Sequence, residues 1–268
     1  MKSWMKISLW VLFVGGVVVT LVMTNSKRED EILPVPVISI SVEGENAFLT
    51  KEELIRMLKR KQLLFENQLQ KELKAIEIEQ FVTNISHVKE ANVYTSLDGN
   101  WGIDIKLRKP IVRVFNKYGE SYYLDEEGVI MKTSPNFTAR VVIASGEIKT
   151  KIAGQNAAYI INNDSLISIR KLDDIYRISN YVCNDPLFSS LIGQIYIEED
   201  GEITLTPIVG DQKIDFGSAN LQEEVEEKFD KLRIFYNEAM PYEGWETYSE
   251  ISVKYRGQIL GKKKKTNE

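Results

Sequence analysis

One cysteine and one histidine in 268 residues leave little room for metal or nucleophilic chemistry. A disulfide framework within one chain needs at least two cysteines. A zinc site of the H-E-x-x-H kind needs two histidines. Cys183 stands among Tyr181, Val182, Leu187 and Phe188, the setting of a small buried apolar residue, and His87 is far from it in sequence. There is no G-x-S-x-G elbow, no Walker loop and no G-x-G-x-x-G. An S-x-x-K occurs at Ser86–Lys89, but also at Ser3–Lys6 and Ser168–Lys171. Three matches without S-D-N or K-T-G partners are chance, and Ser86-His87 fits the end of a helix instead. Acidic pairs such as Asp173/Asp174 and Glu198/Glu199/Asp200 fit solvated faces or turns. No catalytic, cofactor-binding or metal-binding residue is therefore expected, and no small-molecule substrate. Basic excess is missing as well. The formal charge is −5, and setting aside Lys2 and Lys6 takes it to −7. No basic stripe is left for a phosphate backbone, which excludes nucleic acid.

What the chain does have is an uncharged run of 18 residues, Ile7 to Thr24, interrupted by only Ser8, Thr20 and Thr24 as polar residues. At about 1.5 Å per residue a helix of that length covers roughly 27 Å, close to the hydrocarbon core of a bilayer. It predicts a transmembrane helix over 7–24 behind a cytoplasmic stub, 1–6. Lys2, Lys6 and the terminal amine outweigh Lys27 and Arg28 on the far flank, so the body lies outside the cytoplasm. A cleaved signal peptide is the rival, but Leu21-Val22-Met23-Thr24-Asn25-Ser26 offers no A-x-A-like site, and the run exceeds a usual signal core.

Residues 25–36 make a charged linker ending in Pro34-Val35-Pro36, a stiff spacer. The first module, 37–109, has the order β-α-α-β-β. Val37–Val42 is strand-like. Thr50-Lys51-Glu52-Glu53 is a capping box, and Leu49 and Leu54 are placed as a hydrophobic staple for a helix to about Lys61. A second, less regular helix is predicted from Lys71 to Asn84. Val88–Thr95 then pairs through the Asp98-Gly99 turn with Trp101, Ile103, Ile105 and Leu107, which alternate with wet positions.

The second domain, 110–261, is β-rich with flanking helices. Strands are predicted at Ile111–Phe115, Ser121–Leu124, Val129–Met131 and Arg140–Ala144, then a helix over Ser165–Val182. A hairpin follows, Ile195–Ile197 with Ile203–Leu205. A helix over Asn220–Asn237 puts Leu221, Val225, Phe229, Leu232 and Phe235/Tyr236 on one face and Glu223, Glu224, Glu227, Lys228 and Lys231 on the other. Tyr248–Tyr255 and Gln258–Leu260 make a terminal hairpin, before a disordered basic tail, 262–268. The last strands either leave an exposed edge that takes a partner's strand, or form a core strand with ordinary alternation of Ile251, Val253 and Tyr255. The fold class is thus α+β: one transmembrane helix, a small β-α-α-β-β module and a larger mixed, antiparallel β-rich domain.

Several stretches, in this order, resemble the bacterial cell-division protein FtsQ (DivIB) family. Val42-Glu43-Gly44-Glu45-Asn46 followed by Leu49-Thr50-Lys51-Glu52-Glu53-Leu54 is similar to the opening of that family's POTRA module. Ile85-Ser86-His87-Val88-Lys89-Glu90-Ala91-Asn92-Val93 is similar to its second helix-to-strand passage. Leu107-Arg108-Lys109-Pro110-Ile111-Val112-Arg113 resembles the junction into the β domain, and Tyr123-Leu124-Asp125-Glu126-Glu127-Gly128 that domain's first hairpin. Ile214-Asp215-Phe216-Gly217 and Ile251-Ser252-Val253-Lys254-Tyr255-Arg256 fit its last third. The resemblance implies a non-enzymatic, single-pass scaffold of the divisome, in the plasma (inner) membrane at the septum. It implies FtsB- and FtsL-like partners, with a terminal strand adding to a strand of FtsB through Tyr248, Ile251, Val253, Tyr255 and Arg256. The alternatives are another POTRA-bearing secretion or envelope-assembly factor, or an anchored envelope enzyme.

Overall fold

The computed structural model describes residues 4, 10–20, 30–42, 48–96, 98–151 and 171–264. The chain divides into two compact units, Met1–Val42 with Leu49–Leu107, and Glu43–Phe48 with Arg108–Glu268.

In the first unit, residues 10–20 are helical, and their apolar side chains face solvent on all sides. Among the described residues no helix is long and apolar enough to cross a membrane. The expected span, Ile7–Thr24, runs past the described stretch at both ends, since 7–9 and 21–24 lie outside the described residues, as does the stub except Trp4.

The module itself has the expected order. Strand β1 (Val37–Ser41), helix α1 (Lys51–Arg60), helix α2 (Ala75–Thr83), strand β2 (Val88–Thr95) and strand β3 (Trp101–Leu107) form a three-stranded sheet, β1-β3-β2, under two helices. The Thr50 hydroxyl accepts from the Glu53 amide at 3.2 Å, and Leu49 and Leu54 are buried in one cluster. The second helix is interrupted as its pattern predicts: a 3₁₀ turn at Gln70–Glu72 precedes α2, with Leu73 and Lys74 between. Trp101, Ile103, Ile105 and Leu107 are all buried. The proline segment is docked rather than free: Pro34 O accepts from the Trp101 indole at 2.7 Å, and Leu33 N donates to Gln68 O at 2.7 Å.

The second unit is a nine-stranded sheet. Its strands in sequence are β4 (Pro110–Phe115), β5 (Ser121–Asp125), β6 (Ile130–Lys132), β7 (Val142–Gly146), β8 (Ile192–Ile197), β9 (Ile203–Pro207), β10 (Lys213–Gly217), β11 (Tyr248–Ser252) and β12 (Leu260–Lys263). Their spatial order is β12-β11-β10-β9-β8-β7-β4-β5-β6. Five neighbouring pairs are antiparallel. The pairs β4·β7, β7·β8 and β10·β11 are parallel, and each needs a crossover. Helices α3 (Leu172–Asn184), α4 (Pro186–Leu191) and α5 (Gln222–Ile234) supply the rest of the core. Tyr181 stacks on Phe229 with ring centroids 4.4 Å apart, and Phe188 and Phe216 close round the same ring at 4.7 and 5.2 Å. Gly146 is required where β7 ends: its φ is +101°, and a Cβ there would meet the Ile197 carbonyl oxygen at 2.1 Å.

Three expectations change here. The helix predicted over Ser165–Val182 is described from Leu172, and 165–170 lie outside the described residues. Leu221, expected in the core, is the exposed residue before α5, whereas Lys228 and Lys231, expected on the wet face, are buried. Lys262 and Lys263, expected in a disordered tail, are strand residues, and 265–268 lie outside the described residues.

Candidate interaction edge

The terminal hairpin places β12 at one end of the nine-stranded sheet, paired only with β11. All four β12 residues are exposed. Lys264 N donates to Thr247 O at 2.9 Å, and the Ser249 hydroxyl donates to Lys262 O at 3.1 Å, so residues 262 and 264 turn their backbone groups inward. Because these groups alternate along a strand, Gly261 and Lys263 present N–H and C=O on the open side. That is a template for one more strand.

The edge is held down by side chains. The Tyr248 ring covers Gly261 so closely that a Cβ there would stand 2.6 Å from the ring, which requires glycine. Tyr248 packs on Phe235 with centroids 5.2 Å apart, inside the π-helical turn Phe235–Ala239 that continues α5. Lys263 pairs with Glu243 at 2.7 Å, Lys264 with Asp211 at 2.9 Å and Lys262 with Glu250 at 3.7 Å. These exposed pairs orient the strand and add little stability.

Beneath the hairpin loop lies Lys231. Its Nζ donates to Val253 O at 2.9 Å and to Tyr255 O at 2.7 Å, while Glu227 sits 3.6 Å from it. The ammonium thus satisfies two carbonyls that have left the ladder after Ser252, where β11 ends. Lys228 does similar work one turn earlier, donating to Ser218 O at 2.6 Å and to Glu224 at 2.5 Å. Burial alone would raise the Glu224 carboxyl, but hydrogen bonds from Lys228 and Ser218 hold it below the usual carboxylate range. On the neighbouring helix Asp185 behaves alike. Burial opposes its charge, but Arg233 and the amides of Phe188 and Leu187 hold its carboxyl low while it caps α4.

The five residues singled out from sequence do not form one edge. Their strand is interior, flanked by β10 and β12. Ile251 and Val253 are fully buried and Tyr248 nearly so. Tyr255 and Arg256 are exposed in the loop between β11 and β12, where Arg256 approaches Glu227 at 3.9 Å. The period-two pattern from Ile251 to Tyr255 suggested one continuous strand. The buried Lys231, which caps the carbonyls beyond its end, looked like a solvent-facing lysine of an acidic helix. The residues missed are Lys231 and the strand Leu260–Lys263, whose lysines carried the signature of a tail.

Elsewhere, a cleft of about 340 Å³ opens at the starts of the parallel strands β4, β7 and β8, lined by Ile111, Val142, Ile192, Ile208 and Cys183 with Arg140 as its one charged group. Among the described residues no group of His, Cys, Asp and Glu could hold a metal ion. Ser86 and His87 lie in the turn between α2 and β2, and Cys183 is half-buried against the main core.

Two family models match the chain. One described as FtsQ/DivIB, C-terminal related, covers residues 109–261, and one described as a POTRA-like domain covers residues 37–106. No curated protein matches it.

Proposed function

Because the chain belongs to the FtsQ/DivIB C-terminal-related family, we propose that it is a non-enzymatic scaffold of the bacterial division machinery, anchored in the plasma membrane with its body outside the cytoplasm. The uncharged run Ile7–Thr24 is the anchor, a reading supported by its length and by the helical, outward-facing apolar residues over 10–20. The POTRA-like unit helps place the protein at the septum. The C-terminal sheet takes up FtsB- and FtsL-like bitopic partners.

The observation that carries this reading is the open side of β12. An FtsB-like strand adds to Gly261 and Lys263 by backbone pairing, and the exposed Tyr255 and Arg256 in the adjoining loop contribute selectivity. Tyr248, Ile251 and Val253 act from beneath, fixing β11 so that β12 is presented. The lysines also deter indiscriminate pairing, as charges on natural edge strands do, and favour an acidic partner strand.

Lys263→Pro tests this in the full chain, because it removes an outward-facing N–H and leaves the β11 pairing intact. Co-purification of the FtsB-like partner from detergent extract is expected to drop about tenfold or more, roughly 1.4 kcal/mol, with the thermal unfolding midpoint nearly unchanged. Undiminished capture contradicts the edge. Filamentation on depletion of the protein separates a division role from a secretion role.

A further inference from the structure

We propose that the face of the POTRA-like unit formed by Ile32, Val35 and Phe65, beside Lys59, Arg60 and Lys61, rests on the lipid surface, an inference that depends on Ile7–Thr24 being the anchor. Ile32 is 62% exposed, Val35 82% and Phe65 47%. They are not scattered. Ile32 forms an antiparallel bridge with Leu69, and Gln70 N donates to Glu31 O at 3.0 Å, so the segment leaving the apolar run is bound beside the loop that carries Phe65. That loop is built, not slack. Gln62 and Asn67 adopt left-handed backbone at φ 57° and 56°, and the buried Gln68 side chain accepts from Phe65 N at 3.2 Å.

Three cations are grouped at the end of α1. Lys59, Arg60 and Lys61 end α1 and open into the loop, all exposed and with no ion pair among the described residues. Of the nearby acids, Asp30 is held by Lys71 at 2.7 Å, whereas Glu31, Glu66 and Glu72, the last accepting from Leu69 N at 2.8 Å, keep their charge and offset the three cations without pairing with them. Exposed apolar side chains flanked by cations are what an anionic headgroup layer takes up.

The leash limits how far this face can stand from the membrane. Only residues 25–29 separate Thr24 from Asp30. Even fully extended, that stretch spans no more than about 20 Å. A domain of this size is about 30 Å across, so the face bearing Asp30–Val35 stays within about 20 Å of the bilayer, closer than the far side of the domain can be held. Along α1, Lys51 lies about 14 Å from Arg60, at the opposite end of the helix from the loop that carries Phe65.

The test uses the full chain carrying Cys183→Ala, with a single new cysteine from Phe65→Cys or Lys51→Cys labelled with a fluorophore. The protein is reconstituted into phosphatidylcholine–phosphatidylglycerol vesicles containing a headgroup-level spin-labelled lipid. Quenching is expected to be several-fold stronger at position 65 than at 51, and to fall in phosphatidylcholine-only vesicles or when Lys59, Arg60 and Lys61 are changed to Glu. Equal quenching at the two positions in protein that resists carbonate extraction overturns the proposal and leaves the anchor standing. Release by carbonate overturns the anchor and the proposal together.

Discussion

The two ends of the nine-stranded sheet are finished in opposite ways. At the β6 end, Met131 and Tyr123 are sealed under aromatic side chains. Phe48 meets Tyr123 edge-on at 5.2 Å and Phe137 at 5.1 Å, and both Phe48 and Tyr123 are about 1% exposed. At the β12 end every strand residue is exposed, and its fixings are ion pairs and one covered glycine. Burial stabilises the first end, whereas the second is held in shape and left unfilled. An exposed edge is a place where a partner strand can add, and its lysines restrain indiscriminate pairing.

Variants can break this contrast. The largest effect is expected from Phe48→Ala, which should lower the stability of the C-terminal domain by about 3 to 4 kcal/mol in urea unfolding. Leu260→Ala, at 48% exposure on β12, should stay within about 0.5 kcal/mol. Equal losses at the two ends would dissolve the comparison. Lys231→Met comes next. It strands the carbonyls of Val253 and Tyr255, should cost about 2 kcal/mol, and should raise proteolytic cutting in the loop 253–259.

Acid gives a subtler effect. Asp185 and Glu224 have folded-state carboxyls below their ordinary range, so the unfolded chain binds more protons. Their contribution is complete above the ordinary carboxylate range, about pH 4 to 5, and is lost as the pH falls below it. Urea midpoints measured from pH 7 to pH 3 should fall less steeply in Asp185→Asn and Glu224→Gln. The smallest effect belongs to Lys262→Ala, whose exposed pair with Glu250 should be worth under about 0.5 kcal/mol, although partner capture should weaken.

Much of the module was legible because its signals are local. Thr50 and Glu53 mark a helix start, Asp98-Gly99 marks a turn, and Trp101 to Leu107 alternate without interruption. The hairpins β4–β5–β6 and β8–β9 are visible for the same reason. The parallel pairings are not, because β4 meets β7, and β7 meets β8, only after other elements intervene, and which distant strands then pair leaves no mark in local periodicity. The site was half legible. Sequence pointed to the terminal hairpin but assigned the edge to β11. Lysines at 228 and 231 looked like solvent-facing charge yet are buried caps for free carbonyls, and Lys262 and Lys263 looked like a disordered tail yet are exposed strand residues. A lysine's stem and its charge satisfy different surroundings, so residue type alone does not fix where it sits.

The central claim is that β12 accepts a strand on its open side. Amide hydrogen exchange at Gly261 and Lys263, with and without the FtsB-like partner, tests it most directly. Both amides should exchange rapidly in the free protein and slow by at least about a hundredfold in the complex, while the inward-facing Lys264 amide changes little. If Gly261 and Lys263 exchange at the same rate in the complex as in the free protein, the partner does not bind by extending this sheet.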